Sequence, residues 1–256
     1  MTNTLSDKIA LVTGGSRGIG RDTALQLAAR GADIVITYRE RADAAEAVVA
    51  EIRATGRRAT ALQADLTGTA ALPAFCAAFR AQLADWGREN FDILVPSAGT
   101  LRVAPFGSVT EADLDHLWQT NYLSVFMLTQ TLAPSLADGG RIVLIGSGVA
   151  THVFGPLVAY GPLKAAIESL VPYLAQALGG RGITVNAVAP GGLDDDFNAD
   201  LFDRLIPGAR DLIRGATALG RVGLPGDVGG VIAFLCEPQA GFITGQVLGI
   251  DGGYKL

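Results

Sequence analysis

The sequence predicts an α/β chain: a single-domain, doubly wound parallel sheet of about seven strands, with helices on both faces. Three observations carry that expectation. Short apolar, β-branched runs alternate with helix-period segments along the whole chain. Those runs are apolar on both faces, as strands covered by helices on each side must be. No linker, repeat or low-complexity stretch interrupts the alternation, so the 256 residues read as one domain with right-handed crossovers.

The elements follow in order. "KIALVTG" (8–14) is the first strand, and a helix over about 18–30 follows its glycine-rich turn. "DIVITY" (33–38) precedes a helix at about 42–55, and "ATALQAD" (59–65) one near 70–86. "FDILVPS" (91–97) leads through a loop into a long helix expected over about 111–136. "RIVLIGS" (141–147) precedes a helix near 158–178 that carries "AYGPLKAA". "ITVNAVAP" (183–190) and a last strand near 246–250 complete the sheet. Between about 191 and 226 lies one long insertion rich in Asp, Gly and Pro, whose expected role is a lid over the site.

Composition narrows the function. With 49% apolar and 18% charged residues the chain buries a core and is not of the disordered class. A net charge of -5 argues against a nucleic-acid or anionic-membrane surface. Cys76 and Cys236 lie far apart in apolar contexts and read as buried thiols of a reducing cytoplasm. The opening "MTNTLSDK" shows no secretory apolar region, and no apolar run approaches membrane-spanning length. His116 and His152 have no metal-ligand partner at useful spacing, so no metal is expected. Trp86 and Trp118 fall on apolar helix faces and read as core or interface.

Two features carry chemistry. "TGGSRGIG" holds Gly14, Ser16, Arg17, Gly18, Ile19 and Gly20 between the first strand and the first helix. Such a turn lets backbone approach a pyrophosphate seated on the helix N-terminus, so a dinucleotide is the expected ligand. The second strand ends "ITYRER", with no acid before Arg39, and Arg17 stands in the turn. Guanidinium groups there suit a ribose 2′-phosphate, so NADPH is expected over NADH. The second feature is Tyr160 four residues ahead of Lys164, which places phenol and ammonium on one helix face.

With Ser147 upstream of that pair, the chain resembles the short-chain dehydrogenase/reductase family over nearly its whole length. Further motifs that match are Asp65 after the third strand, Ser97-Ala98-Gly99 after the fourth, Asn121 in "QTNYLSVF", "VNAVAPGG", "GRVGLPGDV" and "ITGQVLGIDGG". The resemblance implies a Rossmann-like fold and a catalytic set of Asn121, Ser147, Tyr160 and Lys164. Hydride delivery to a carbonyl carbon leaves an alkoxide to be neutralised. Tyr160 is the expected proton donor, its pKa drawn down by Lys164 and the oxidised nicotinamide. Ser147 would orient the carbonyl oxygen. The resemblance further implies that Lys164 binds the nicotinamide ribose and that Asn121 holds a water of a proton relay. It places Asp65 and Leu66 beside the adenine, and Pro190, Gly191 and Leu193 along the nicotinamide.

The chain departs from the family at several points. Pro96-Ser97 replaces two asparagines, Pro162-Leu163 a small pair before the lysine, and Asp195 a hydroxyl residue after the Pro-Gly turn. Pro162 implies that the helix begins close to Tyr160 or leaves a carbonyl unpaired. The expected activity is NADPH-dependent reduction of small neutral ketones or aldehydes, by a homotetramer that buries the two long helices. The alternatives are a 3-oxoacyl-thioester reductase acting on an acyl carrier protein, and an idle NADP-binding regulator. Asp138 and the lid acids Asp194, Asp195, Asp196, Asp200 and Asp203, against Arg204, Arg210 and Arg214, disfavour an acidic carrier. No cation precedes Arg141 in the stretch before the fifth strand, and Arg181 is the one cation suited to the carrier role.

Overall fold

Along the inner strands, side chains alternate between two apolar layers. The computed structural model describes residues 3–195, 197–199 and 205–256. The strands are β1 (Ile9–Thr13), β2 (Asp33–Tyr38), β3 (Ala59–Gln63), β4 (Phe91–Pro96), β5 (Leu136–Ile145), β6 (Thr184–Pro190) and β7 (Val247–Ile250). They pair in parallel in the order β3-β2-β1-β4-β5-β6-β7, with the reversal between β1 and β4. Asp196, Asp200, Asp203 and Arg204 of the lid lie outside the described residues.

The helices are α1 (Gly18–Ala29), α2 (Ala42–Ala54), α3 (Leu72–Asp85), α4 (Glu111–Trp118), α5 (Ser124–Leu132), α6 (Tyr160–Leu178), α7 (Ala209–Ala216) and α8 (Pro225–Cys236). Ile9 and Leu11 of β1 face a core built with Phe75 and Phe79 of α3, Leu128 of α5 and Ile167 and Val171 of α6. Ala10 and Val12, one residue out of step, face α1, α2 and α8 through Leu27, Val48 and Ile232. Both faces of the strand are therefore dry, and the period-2 alternation of a half-exposed strand is missing from the sequence for that reason.

Two expectations need correction. The long helix over 111–136 is not one helix. α4 runs into a π-helical turn at Gln119–Leu123, α5 ends at Leu132, and a short 3-10 turn covers Ala133–Ser135. A π turn keeps the chain helical with one residue inserted, so the apolar period hardly registers it. Pro134 has no N–H to continue the helix, which ends there. β5 also begins earlier than expected, at Leu136, which pairs with Phe91 before the register shifts. Gly139, with φ of 73°, turns the chain inside this irregular stretch.

Candidate active site

The turn after β1 is held open by its neighbours. Gly14 N donates to Thr37 Oγ1 at 3.1 Å, and Gly15 N to the Thr37 carbonyl at 2.9 Å. Ala98 N donates to Thr13 Oγ1 at 3.0 Å, which ties the loop after β4 to the same turn and compensates for the N–H missing at Pro96. A Cβ on Gly20 would stand 2.4 Å from the Gly14 carbonyl oxygen, so only glycine allows α1 to start this close to the turn. Arg17 precedes α1 with no side-chain capping bond, and the first turn of α1 holds no acid. Its N–H donors and positive helix end thus suit the pyrophosphate of a dinucleotide, which the residues present fit.

The flanking positions are consistent with that ligand. Arg39 is exposed past the end of β2, its Nε 2.9 Å from Glu40 Oε1. Asp65 Oδ1 accepts from Thr67 N and Oγ1, which holds its carboxyl below the usual range, while Leu66 is buried. Ser97, Ala98 and Gly99 follow β4 on the near side of the turn; Pro190 ends β6, and Gly191 and Leu193 follow it. An acid from the segment after β6 also stands here: a Cβ on Gly18 would be 3.1 Å from Asp195 Oδ2. Asp195 Oδ1 accepts from Asn198 N and Nδ2, both at 2.9 Å.

Tyr160 begins α6, which places Pro162 in the first turn where its missing N–H costs nothing. Tyr160 and Lys164 are each only 7% exposed. Lys164 Nζ donates to the Ile145 carbonyl at the end of β5 at 2.9 Å and lies 5.5 Å from the centre of the Tyr160 ring. The turn after Ser147 packs onto this helix start, since a Cβ on Gly161 would be 2.8 Å from the Val149 carbonyl oxygen. Ser147 N donates to Glu168 Oε1 at 3.0 Å. Asn121, buried in the π turn, accepts from Thr100 N at 3.2 Å and donates to the carbonyls of Thr100 at 3.0 Å and Leu117 at 3.2 Å. Its side chain is thereby committed to bracing the loop after β4.

The electrostatics differ from expectation in one respect. The protein's own groups push the Tyr160 phenol up rather than down, through burial first and the Asp195 carboxylate second. Burial disfavours phenolate, and Lys164, beside the ring with its ammonium donating to the Ile145 carbonyl, does not offset that cost. Lys164 itself is pushed down to about 8 by burial, against the opposing pull of Glu168.

Beyond the phenol lies an apolar wall. Leu101, Val103, Val149, Phe154 and Leu163 pack with Leu117, Leu157 and Tyr160. Ile206, Val222 and Tyr254 extend it beside α7. Tyr254 meets His152 edge-on, ring centres 5.9 Å apart, and Lys255 Nζ donates to the Val153 carbonyl at 2.9 Å, so the C-terminal tail closes one side. The sequence offered no signal for Tyr254. Glu168 was also missed, although its place four residues after Lys164 in an otherwise apolar helix marks it.

Known proteins similar to this chain cover nearly its whole length. The family model described as enoyl-(acyl carrier protein) reductase matches residues 14–255. Hydroxynaphthalene reductase-like protein Arp2 of Metarhizium brunneum is 38% identical over 265 residues, covering 97% of this chain and 95% of the relative. Among solved structures, a short chain dehydrogenase from Burkholderia cenocepacia in complex with NADP is 41% identical, with a TM-score of 0.89 and 98% of each chain covered. The angucycline C-6 ketoreductase LanV with bound NADP is 34% identical, with a TM-score of 0.93 over 100% of this chain and 98% of that one.

Proposed function

The chain belongs to the short-chain dehydrogenase/reductase family of oxidoreductases, and from that premise we propose that it is an NADPH-dependent reductase of ketones or aldehydes. The observation that carries this reading is the buried Tyr160–Lys164 pair at the start of α6, with the Ser147 turn packed against it.

The turn from Gly14 to Gly20 would hold the pyrophosphate, Arg17 and Arg39 the 2′-phosphate, Asp65 and Leu66 the adenine side, and Ser97 to Gly99 with Pro190, Gly191 and Leu193 the remainder. Bound NADPH supplies the hydride. Tyr160 keeps its proton at neutral pH because burial and Asp195 raise its phenol, and it donates that proton to the carbonyl oxygen. Ser147 Oγ donates a hydrogen bond to the same oxygen and orients it. Lys164 places a positive charge behind the phenol, which steadies the phenolate left after transfer. The apolar wall from Leu101 to Tyr254 excludes water and suits an uncharged substrate.

A second reading of the substrate, a fused aromatic ketone, is favoured by Phe154 and by the His152–Tyr254 ring pair at the mouth. The names of a hydroxynaphthalene reductase-like relative and an angucycline ketoreductase point the same way. An acyl-carrier substrate is disfavoured. Arg181 is tied to Asp138 at 2.8 Å and to the Ala133 and Leu136 carbonyls, and Arg141 to those of Gly139 and Gly140, so both serve the fold. We place the protein in the cytoplasm as a homotetramer. The stacked Trp118, Tyr122 and Phe126 and the exposed Tyr173 would be covered by a second copy, and light scattering at micromolar concentration tests this.

The deciding experiment follows NADPH absorbance with a panel of aliphatic and fused aromatic ketones. Tyr160→Phe should lower kcat by about 10²–10⁴-fold with NADPH affinity kept. Turnover within tenfold of the parent would sink the assignment. Tight NADPH binding without turnover on any carbonyl would favour an idle regulator.

A further inference from the structure

We infer that Glu168 is a positioning residue for this reaction: its carboxylate fixes the backbone at Ser147 and supports the positive charge of Lys164. The inference rests on the reading of Ser147, Tyr160 and Lys164 as the reacting set. Two consecutive turns of α6 direct a polar group at the end of β5, at residues 164 and 168, one turn and two turns after Tyr160. Lys164 Nζ takes the Ile145 carbonyl at 2.9 Å, and Glu168 Oε1 takes the Ser147 amide at 3.0 Å. The two grips fall on either side of Gly146. A Cβ at Gly146 would be 2.4 Å from Glu168 Oε1, so the strand end leaves out a side chain where the carboxylate enters.

Glu168 is half-buried, and burial raises its pKa while the Ser147 amide and then Lys164 lower it. Facing Lys164 are Tyr160 and Glu168 on its own helix and the Ile145 carbonyl from β5, while Asp195 of the lid bears on Tyr160. Glu168 is therefore the anion set against Lys164, and the amide it holds belongs to the residue that orients the carbonyl. A salt bridge made only for stability would not need the amide of Ser147.

The test uses E168A, E168Q, G146A and the double variant G146A/E168A in the full-length protein. E168A frees the Ser147 turn, and kcat should fall about 10²-fold, as for a misplacement of about 1 Å. The KM for NADPH should stay within about threefold of the parent, since the glycine turn is untouched. G146A leaves the acid in place but displaces its carboxylate, so it should reproduce the loss. The double variant should be no worse than E168A alone. E168Q keeps an oxygen for the Ser147 amide and removes the charge. Its kcat at the optimum should stay within about tenfold of the parent, with the alkaline limb of the pH profile moved to lower pH.

Hydrogen exchange of the 145–150 segment gives a readout independent of turnover, and protection should drop in E168A and G146A but not in E168Q. If the parent reduces no carbonyl, the functional reading fails while this readout still reports whether Glu168 holds Ser147. E168A and G146A with parent kcat, parent pH profile and only a lower melting temperature would overturn the proposal. Unchanged exchange protection in E168A would do the same.

Discussion

Replacing Asp195 by Asn should tighten NADPH binding about tenfold. The carboxylate stands where an anionic ligand is due, with Oδ2 3.1 Å from a Cβ position on Gly18, at the uncapped start of α1. A phosphate resting on those amides lies roughly 5 Å from it, and two unit charges at that separation repel by about 3 kcal/mol at an effective dielectric near 20. Partial exposure of Asp195 and counterions cut this to about 1–2 kcal/mol, or about 5–30-fold in Kd. Asn is the right probe because its side-chain oxygen still accepts from Asn198 N and Nδ2, so the lid turn keeps its local bonds. Fluorescence titration of NADPH into both proteins, at low and high salt, reads the effect. The gain should be largest at low salt and shrink as salt rises. Affinities within twofold at low salt, or a gain that salt does not touch, would mean that the carboxylate does not meet the cofactor.

Four further outcomes are expected. Turnover should fall as pH rises through about 8, where Lys164 loses its proton, while the raised phenol of Tyr160 stays protonated; an initial-rate pH profile checks this. The same shift has a stability sign: the ammonium is disfavoured in the fold, so Lys164 costs stability fully below about 8 and the cost fades towards its ordinary pKa, readable as melting temperature against pH. Arg39→Asp should move the NADPH/NADH ratio of kcat/KM towards NADH by more than about tenfold, because it replaces a phosphate partner with a carboxylate for the ribose hydroxyl; steady-state kinetics with both cofactors decide it. Asp22→Asn should raise the melting temperature by about 2 °C at neutral pH. Burial raises the Asp22 carboxyl and its Oδ2 has no hydrogen-bond partner among the described residues, so the cost of its charge exists only above the ordinary carboxylate pKa and should vanish on acidification.

What the sequence reveals and what it hides divide along a physical line. A strand such as Ile9–Thr13 is legible because every residue in it is buried, so its run of apolar side chains needs no knowledge of its neighbours. Pro162 is legible as well, because proline is tolerated in a first helical turn and α6 begins at Tyr160, although Pro172 sits inside the same helix. The π turn at Gln119–Leu123 is not, since an inserted helical residue leaves composition and period almost unchanged. Asp195 shows up in the sequence as an odd residue, but its approach to Gly18 brings together two turns that lie far apart in the chain.

Glu168 marks the limit between the two classes. Its spacing from Lys164 is plain in the sequence, and at that level it is an ordinary helical ion-pair position. The meaning changes only when α6 is laid beside β5 and the carboxylate meets the Ser147 amide across a glycine. Gly146 then ceases to be a strand-end glycine chosen for flexibility, because its φ is not positive and any residue fits its backbone. What it supplies is space for an acid on another element. A glycine and a glutamate twenty-two residues apart thus form one functional unit, each uninformative without the other. A residue such as Tyr160 is different in kind, because its phenol must touch the reacting atoms and its chemistry is readable from its type. Positioning groups are readable only from contacts, so they are the part of a site that a structure adds.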